Sequence, residues 1–583
     1  MDILGLLCGL ALFLYGMSVM GDSLKKSAGS SLKTILGKMT SNPVKGFLLG
    51  LGVTAVIQSS SATTVMVVGF VNSGTMTLLQ SVGVIMGANV GTAVTAWLTG
   101  LSGLGEGGQA ALSFIQWLKP DSWMPILALI GIVLVMFAKR GKKKDIGFIL
   151  LGFSVLMVGM SMMSDAVSGL KDNDSFKSIL TMFSNPIMGV LAGTILTAIV
   201  QSSSASIGIL QSLSTTGAIS YGMAIPIILG QNIGTCVTAM ISSIGATTNG
   251  RRAAVVHLLF NIIGVVVVLS CFYLINAFVS FAFVKDTIGM WGIAIVHTSF
   301  KLISVALISP FYKQLARLST VLVKGKKDEQ EVTNRLDERL LETPGVAVAT
   351  AADVTCQMAE LSTSALLKAL DIFDQYDVKL AEEIRMLEDK ADQLEDALGS
   401  YLVKLSSRSL SEQDSQQITT LLHLIGDYER ISDHAVNILE SAEELRDKKF
   451  SFSAEAQKEL QVLTDALREI LAVTRQAFVE NDLAKASLVE PLEEVVDDLM
   501  DKIKRGHILR LQRNECTIEL GFVLNDLLIN FERVSDHCSN IAGCLMEISE
   551  HGAMDMHKYL RNVRHGSENF EQKYREYSQK YSI

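Results

Sequence analysis

The sequence has no Walker-type phosphate loop, no zinc motif and no nucleophile beside a plausible base, so the usual constellations of an enzyme are missing. Its seven cysteines form no Cys-x-x-Cys pair. Four of them, Cys356, Cys516, Cys538 and Cys544, lie in the polar second half, a usage that fits reduced thiols in a cytoplasmic compartment rather than a disulfide frame. With a formal charge of −9 there is no domain-wide basic face, and nucleic acid is not expected as a partner. Met1 to Met20 lacks a basic n-region, and Cys8 follows Leu7 rather than a small residue, so the segment is read as retained, neither a cleaved signal nor a lipoprotein site.

What is present is apolar. Hydrophobic residues make up 49 % of 583, too many for an ordinary soluble protein and too long a chain for one domain. They are unevenly spread. Up to about Pro310, long apolar blocks are separated by short polar joints; beyond Lys313, charged residues, Gln and Leu at helical spacing take over. The net charge hides this division, because the first part is basic and the second strongly acidic.

The first part is duplicated. Gly16-Met17-Ser18 matches Gly159-Met160-Ser161, Ser41-Asn42-Pro43 matches Ser184-Asn185-Pro186, and Gln58-Ser59-Ser60-Ser61 matches Gln201-Ser202-Ser203-Ser204. Gly87-Ala88-Asn89-Val90-Gly91-Thr92 matches Gly230-Gln231-Asn232-Ile233-Gly234-Thr235. All stand at one offset of 143 residues. Full-length spans are predicted at about 3–20, 78–98, 123–138, 147–164, 221–243, 253–277 and 288–311. The segments around 43–72 and 186–217 are also apolar, but Pro43 or Pro186, glycines and the Gln-Ser-Ser-Ser run break them into short halves, expected as re-entrant hairpins or broken helices.

Three full spans between the starts of the two units make the repeats inverted by parity. Charge agrees. Lys25, Lys26, Lys33, Lys38 and Lys45 face only Lys171 and Lys177 in the second unit, where Asp165, Asp172 and Asp174 oppose them. Placing the first group inside also places Lys139 to Lys144, Arg251, Arg252 and the whole polar half inside, and leaves the base-poor loops 99–123 and 276–288 outside.

Polar runs inside greasy segments are costly unless they line a protein-buried cavity, and here the cost recurs. Inverted repeats with broken helices at matching positions mark a secondary transporter with its site near the midplane. Helix ends and serine hydroxyls there suit an anion; unwound carbonyls with Gln, Asn and Thr oxygens suit Na⁺. No ionisable residue is evidently committed to the site, which argues against a carboxylate proton relay. His257 and His297 read as satisfied core residues. Tight packing alone would explain the small residues of Gly-x-Asn-x-Gly-Thr, but not Asn89 and Asn232.

The paired Gln-Ser-Ser-Ser motifs, each followed by Gly-x-Asn-x-Gly-Thr, then Arg251-Arg252-Ala253 with His257 and Phe260-Asn261, resemble the bacterial form of the type II sodium-phosphate cotransporters. The resemblance covers about the first 311 residues. It implies inorganic phosphate as substrate, Na⁺ as coupling ion, and a phosphate site of Gln58, Ser59, Ser60, Ser61, Gln201, Ser202, Ser203 and Ser204. It implies sodium ligands at Gln231, Asn232, Thr235 and Thr238, with Asn89 and Thr92 as the matching positions of the first unit; Gln231 stands where relatives carry serine.

The second half is helical and also duplicated. Asp427 to His434 matches Asn530 to His537 at an offset of 103, and Glu388 to Asp392 matches Glu493 to Asp497 at 105. Six long helices are expected at about 350–376, 378–406, 411–446, 453–480, 482–511 and 515–550, as two three-helix bundles. Asp389 and Asp392, Glu429 and Asp433, Glu494 and Asp497, and Glu532 and Asp536 pair on helix faces. Facing one another they would hold a hard cation or iron; separately they are solvated acidic faces. This half resembles the PhoU phosphate-regulator fold, which implies a metal ion and a regulatory role.

The expected architecture is an all-α polytopic membrane protein. A transport domain spans 1–311 (repeats about 1–98 and 147–245, extra helices 253–311), followed by a linker over 312–345 that is charged and mobile from Val323 to Gly345, a PhoU-like domain over 346–552 and a polar tail over 553–583. The expected function is Na⁺-coupled phosphate import across the bacterial inner membrane, with the second half cytoplasmic and open to a regulatory protein partner or a homo-oligomer. Another oxyanion as cargo, or a membrane-anchored phosphate sensor, are the alternatives.

Overall fold

The computed structural model describes residues 3–38, 42–103, 120–138, 141–168, 170, 182–325, 335–373, 376–551 and 568–583. Ser41, Lys139, Arg140, Lys171, Lys177, Asp172, Asp174, most of the 99–123 loop and the first half of the polar tail lie outside the described residues, as do the side chains of Lys33 and Lys38. Two compact units result: residues 1–347 with 408–411, and residues 348–407 with 412–583. Both are helical.

In the first unit the helices are α1 (Ile3–Lys38), α2 (Pro43–Ile57), α3 (Ser60–Asn72), α4 (Leu78–Gly91), α5 (Ala93–Gly100), α6 (Pro120–Phe137) and α7 (Lys142–Ser168). From α7 the series repeats, with α8 (Pro186–Val200), α9 (Ser203–Ser214), α10 (Tyr221–Gly234) and α11 (Cys236–Ser242), and it continues with α12 (Thr248–Val279), α13 (Met290–Ile308) and α14 (Tyr312–Leu322). Among the described residues six segments are long and apolar enough to cross a membrane: Ile3–Ser27, Leu78–Gly103, Lys142–Ser168, Tyr221–Ser242, Thr248–Val279 and Met290–Leu322. The span expected at 123–138 falls instead among shorter apolar helices, as Trp123–Phe137.

Glycine positions explain how the units pack. A Cβ on Gly87 would lie 1.9 Å from the Phe47 carbonyl oxygen, and one on Gly230, at the same offset, 2.0 Å from that of Val190. Backbones touch there because no side chain intervenes. Since Pro43, Phe47 and Leu51 meet Gly83, Gly87 and Gly91 in ascending order, α2 and α4 run parallel. The intervening α3 must therefore carry the chain back, so α2 and α3 form a hairpin; α8 and α9 do likewise against α10.

Across the units, Gly9 faces the Gly159 carbonyl while Gly16 faces that of Gly152. Ascending numbers in α1 thus meet descending numbers in α7, and these equivalent helices run antiparallel. Each contact is the repeat image of the other, the pattern an internal two-fold produces.

The linker differs from expectation. Of the segment 312–345, Tyr312–Leu322 is helix with Leu315, Ala316 and Ser319 buried. Residues 335–343 are docked on the first unit: Asn72 Nδ2 donates to Asp337 Oδ2 at 2.6 Å, Arg339 Nε donates to the Ser242 carbonyl at 2.6 Å, and Leu340 and Leu341 are buried. An apolar pair flanked by a pairing acid and base gives a charged linker something to bury, so its described parts are not a free tether.

The second unit follows the sequence closely. Its helices are α15 (Pro344–Asp371), α16 (Val378–Ser406), α17 (Glu412–Lys448), α18 (Ala454–Glu480), the short α19 (Leu483–Ala486), α20 (Val489–Gln512), α21 (Ile518–His551) and α22 (Glu568–Lys580). Buried Tyr428 and Phe531 occupy matching positions of the two copies. His537 Nδ1 lies 2.9 Å from Asp427 Oδ1 and His434 Nδ1 2.8 Å from Asn530 Oδ1, so the copies exchange equivalent contacts. The described end of the polar tail is ordered as α22, where Tyr574 donates to Asp498 at 2.5 Å and Lys580 pairs with Glu469 at 2.7 Å.

Candidate functional site

Each Gln-Ser-Ser-Ser run is a helix break. Asn42 and Asn185 cap α2 and α8 through their side chains, with Pro43 and Pro186 in the first turn, where a missing N–H costs nothing. The helices stop at Gln58 and Gln201, both left-handed (φ 59° and 54°), a conformation unusual for a residue with a side chain. Ser59 and Ser202 then cap α3 and α9, accepting from Ala62 N and Ala205 N at 3.2 Å. The remaining first-turn N–H groups of α3 and α9 have no helical acceptor.

The fold brings the two breaks together. A cavity of about 240 Å³ is lined by Gln58, Ser59, Ser60 and Ser61 from the first repeat and Gln201, Ser202, Ser203 and Ser204 from the second. Two helix N-termini and six serines around one small space offer the kind of donors an anion accepts. α1 completes the lining with Ser18, Asp22 and Lys25, where Lys25 Nζ lies 3.3 Å from Asp22 Oδ1. These ionisable residues correct the expectation that none is committed to the site. The i, i+3 spacing of Asp22 and Lys25 was visible in the sequence; only the packing of α1 against the breaks gives it meaning.

The residues expected for sodium behave differently in the two units. In the first, Gln58 Oε1 accepts from Thr95 Oγ1 at 2.9 Å and the Gln58 amide donates to the Ala55 carbonyl. Thr92 donates to the Ala88 carbonyl and Asn89 to that of Ile85, while the Asn89 carbonyl accepts from Lys301 Nζ at 2.6 Å. In the second, Gln231 Nε2 donates to the Ser206 carbonyl at 2.9 Å, Asn232 to that of Ile228 at 2.7 Å, and Thr235 to that of Gln231 at 2.9 Å. Yet Gln231 Oε1, Thr238 Oγ1 and Thr197 Oγ1 are buried there without a hydrogen-bond partner. Three buried neutral oxygens left unsatisfied suit a hard monovalent cation. Thr197 was missed by sequence reasoning; its signal is the match with Thr54 at the common offset, which bonds Thr63 at 3.0 Å.

His257 and His297 are both 1 % exposed, as core residues should be, but the Nδ1 of each has no partner. Cys236 Sγ lies 4.0 Å from His257 Nε2.

The family model described as Na⁺/Pi-cotransporter matches residues 12–165 and again 155–309. The chain belongs to the Na⁺/Pi-cotransporter family. That is a transporter family rather than an enzyme family, and with the apolar helices it makes this chain a membrane protein. The PhoU domain model matches residues 355–442 and 460–545, one match per bundle.

One relative matches this cotransporter family member over almost its whole length, and others match one half of it in part. A candidate inorganic phosphate export protein, YjbB of Escherichia coli (strain K12), is 24 % identical over 562 residues, covering 94 % of this chain and 98 % of its own. The sodium-dependent phosphate transport protein 2A of Rattus norvegicus is 40 % identical over 131 residues, 21 % of this chain and 20 % of its own. A phosphate-specific transport system accessory protein, PhoU homolog 1 of Thermotoga maritima, is 27 % identical over 213 residues, 36 % of this chain and 90 % of its own. No solved structure matches the chain.

The acidic pairs of the second half are the residues expected to hold a metal ion. Among the described residues no group of three or more His, Cys, Asp or Glu is placed to hold a metal ion. In one copy Glu532 lies 3.8 Å from Lys504 and Asp536 3.6 Å from Arg533, so bases stand against these carboxylates. In the other, Glu429 keeps company with Asp433; burial and then that neighbour push its carboxyl up to about 7. Asp389, Asp392 and, from the facing helix, Asp433 act electrostatically on Glu388, and Glu395 acts on Glu429, so carboxylates of α16 and α17 do face one another without forming a ligand group of three among the described residues.

Proposed function

We propose that this chain moves inorganic phosphate across the bacterial cytoplasmic membrane together with Na⁺. The observation that carries this reading is the single cavity lined by both Gln-Ser-Ser-Ser breaks. Phosphate would be held by the serine hydroxyls and the N-termini of α3 and α9, with Lys25 adding positive charge at the wall. Na⁺ would be bound by Gln231, Thr238 and Thr197, whose oxygens otherwise lack partners, beside Asn232 and Thr235. The break at Gln201 and Ser202 joins the two sites, because Ser206, which donates to the Ser202 carbonyl, also gives its own carbonyl to Gln231.

The antiparallel packing of α1 on α7 supports inverted repeats over 1–98 and 147–245, and hence alternating access by rocking of one repeat against the other. Charge asymmetry supports a cytoplasmic second half, where the PhoU-like unit over 346–552 would regulate transport through a protein partner or a second copy. With an inward Na⁺ gradient such coupling gives import. A second reading, export, is favoured by the name of the E. coli relative that matches almost the whole chain.

The test is uptake of labelled phosphate by proteoliposomes of the full chain. Uptake driven by an inward Na⁺ gradient and lost when K⁺ replaces Na⁺ supports coupled import. Efflux from preloaded vesicles under the same gradient, without uptake, supports export, and equal competition by excess sulfate would show a broader oxyanion carrier. Binding without flux in either direction would leave a sensor.

A further inference from the structure

Lys301, on α13, is 3 % exposed and makes its hydrogen bond to the carbonyl of Asn89 near the end of α4, at 2.6 Å. No ion pair of Lys301 occurs among the described residues. A buried ammonium without a carboxylate is expensive to keep charged, and what compensates it here is a carbonyl at the negative end of a helix. That is the electrostatic environment a bound cation uses. Asn89 is the image, at the offset of 143 residues, of Asn232 in the proposed sodium site.

The two images are treated unequally. The side-chain donor to the Asn232 carbonyl is the weak thiol of Cys236, at 3.7 Å, and Gln231, Thr238 and Thr197 of the same repeat hold oxygens without partners. Around Asn89 the corresponding oxygens are engaged: Thr95 with Gln58, and Thr54 with Thr63. Position 88, the image of Gln231, is alanine and offers no side-chain oxygen. One unit carries a fixed positive charge; the other carries free oxygen ligands.

We propose that the Lys301 ammonium is a tethered replacement for a coupling ion. It fills the cation position of the first unit, so that of these two equivalent positions only the one in the second unit takes Na⁺. This rests on the Na⁺-coupled reading given above. The residue would set ion selectivity and stoichiometry: a tethered charge needs no binding from solution and returns with the protein in every cycle, contributing no net transported charge.

The experiment measures ²²Na⁺ and ³²P-phosphate flux together in proteoliposomes of the full chain. Lys301→Met is expected to raise the ratio by one Na⁺ per phosphate and to steepen Na⁺ activation, because a mobile ion must now neutralise the Asn89 carbonyl; Lys301→Arg is expected to keep the wild-type ratio. Phosphate transport by Lys301→Met at an unchanged ratio and unchanged steepness overturns the proposal. Should Lys301→Met not yield folded protein, equilibrium ²²Na⁺ binding to Thr238→Val decides: a single class of bound Na⁺, weakened about tenfold, supports a first-repeat position closed by Lys301, and a second class that keeps its wild-type affinity overturns it. Wild-type uptake indifferent to Na⁺ would instead remove the coupled reading, and this inference with it.

Discussion

Thr95 donates a 2.9 Å hydrogen bond to Gln58, whereas Thr238, its image in the second unit, finds no partner although Gln201 occupies the image position of Gln58. Both glutamines line the cavity, but Gln58 is buried and Gln201 is exposed. Two identical local motifs have therefore been given different work, one holding the break together and the other free to meet a ligand.

Replacing each glutamine should separate those roles. Gln58→Ala strands the Thr95 hydroxyl and should lower stability by about 1–3 kcal/mol, the usual effect of a buried group losing its partner, in addition to impairing transport. Gln201→Ala should impair phosphate transport while leaving thermal stability near wild type. Thermal unfolding in detergent beside vesicle uptake measures both; equal destabilisation by the two variants would contradict the asymmetry.

Backbone contact at the repeat cores makes two glycines irreplaceable. Gly87→Ala and Gly230→Ala each push a methyl to within 2.0 Å or less of a backbone oxygen, which neither a rotamer nor a side-chain shift can relieve. Both should lose at least about 1–3 kcal/mol, the range for overpacking, and mostly fail to give monodisperse protein. Gly52→Ala meets nothing within 4 Å and should be neutral or stabilising by about 0.5–1 kcal/mol.

Thr238→Val removes one free oxygen without changing shape. The Na⁺ concentration for half-maximal transport should rise about tenfold, equivalent to about 1.4 kcal/mol, with a much smaller change in the phosphate dependence at saturating Na⁺. An unchanged Na⁺ curve would exclude Thr238 as a ligand.

In the second unit, Glu429 supplies a pH signature. Its carboxyl is raised to about 7 in the fold against 4.5 for an ordinary glutamate, burial being the first cause and Asp433 the second. The folded state therefore holds a proton that the unfolded state has released; the associated stability is complete below about 4.5 and fades as pH rises through about 7. Glu429→Gln should flatten the thermal stability of this unit across that window and exceed wild type at pH 8. An identical pH profile in the variant would show that Asp433 imposes no such load.

The docked linker can be loosened at one residue. Arg339 donates to the carbonyls of Ser242 and Ile244 and pairs with Asp337 at 2.8 Å. Arg339→Ala should cost about 1–3 kcal/mol of local stability and speed amide exchange over 335–343 by one to two orders of magnitude. Exchange at the wild-type rate would mean that Leu340 and Leu341 hold the segment unaided.

The sequence by itself determined the repeats, the positions of both helix breaks, the division into an apolar and a charged half, and nearly every helix of the second unit. Those features are local or periodic: a proline after an asparagine cap, apolar residues at helical spacing, one offset shared by every matched motif. Only the tertiary structure decided that both Gln-Ser-Ser-Ser runs line one cavity, that α1 brings Asp22 and Lys25 to it, and that the charged linker is docked. It alone also decided how the symmetry breaks. Identical motifs carry no information about which of them will meet Thr95, or which carbonyl will receive an ammonium from 212 residues away in the chain. Those choices depend on long-range packing, where small differences such as Ala88 against Gln231 fix which polar atoms find partners inside the protein and which do not.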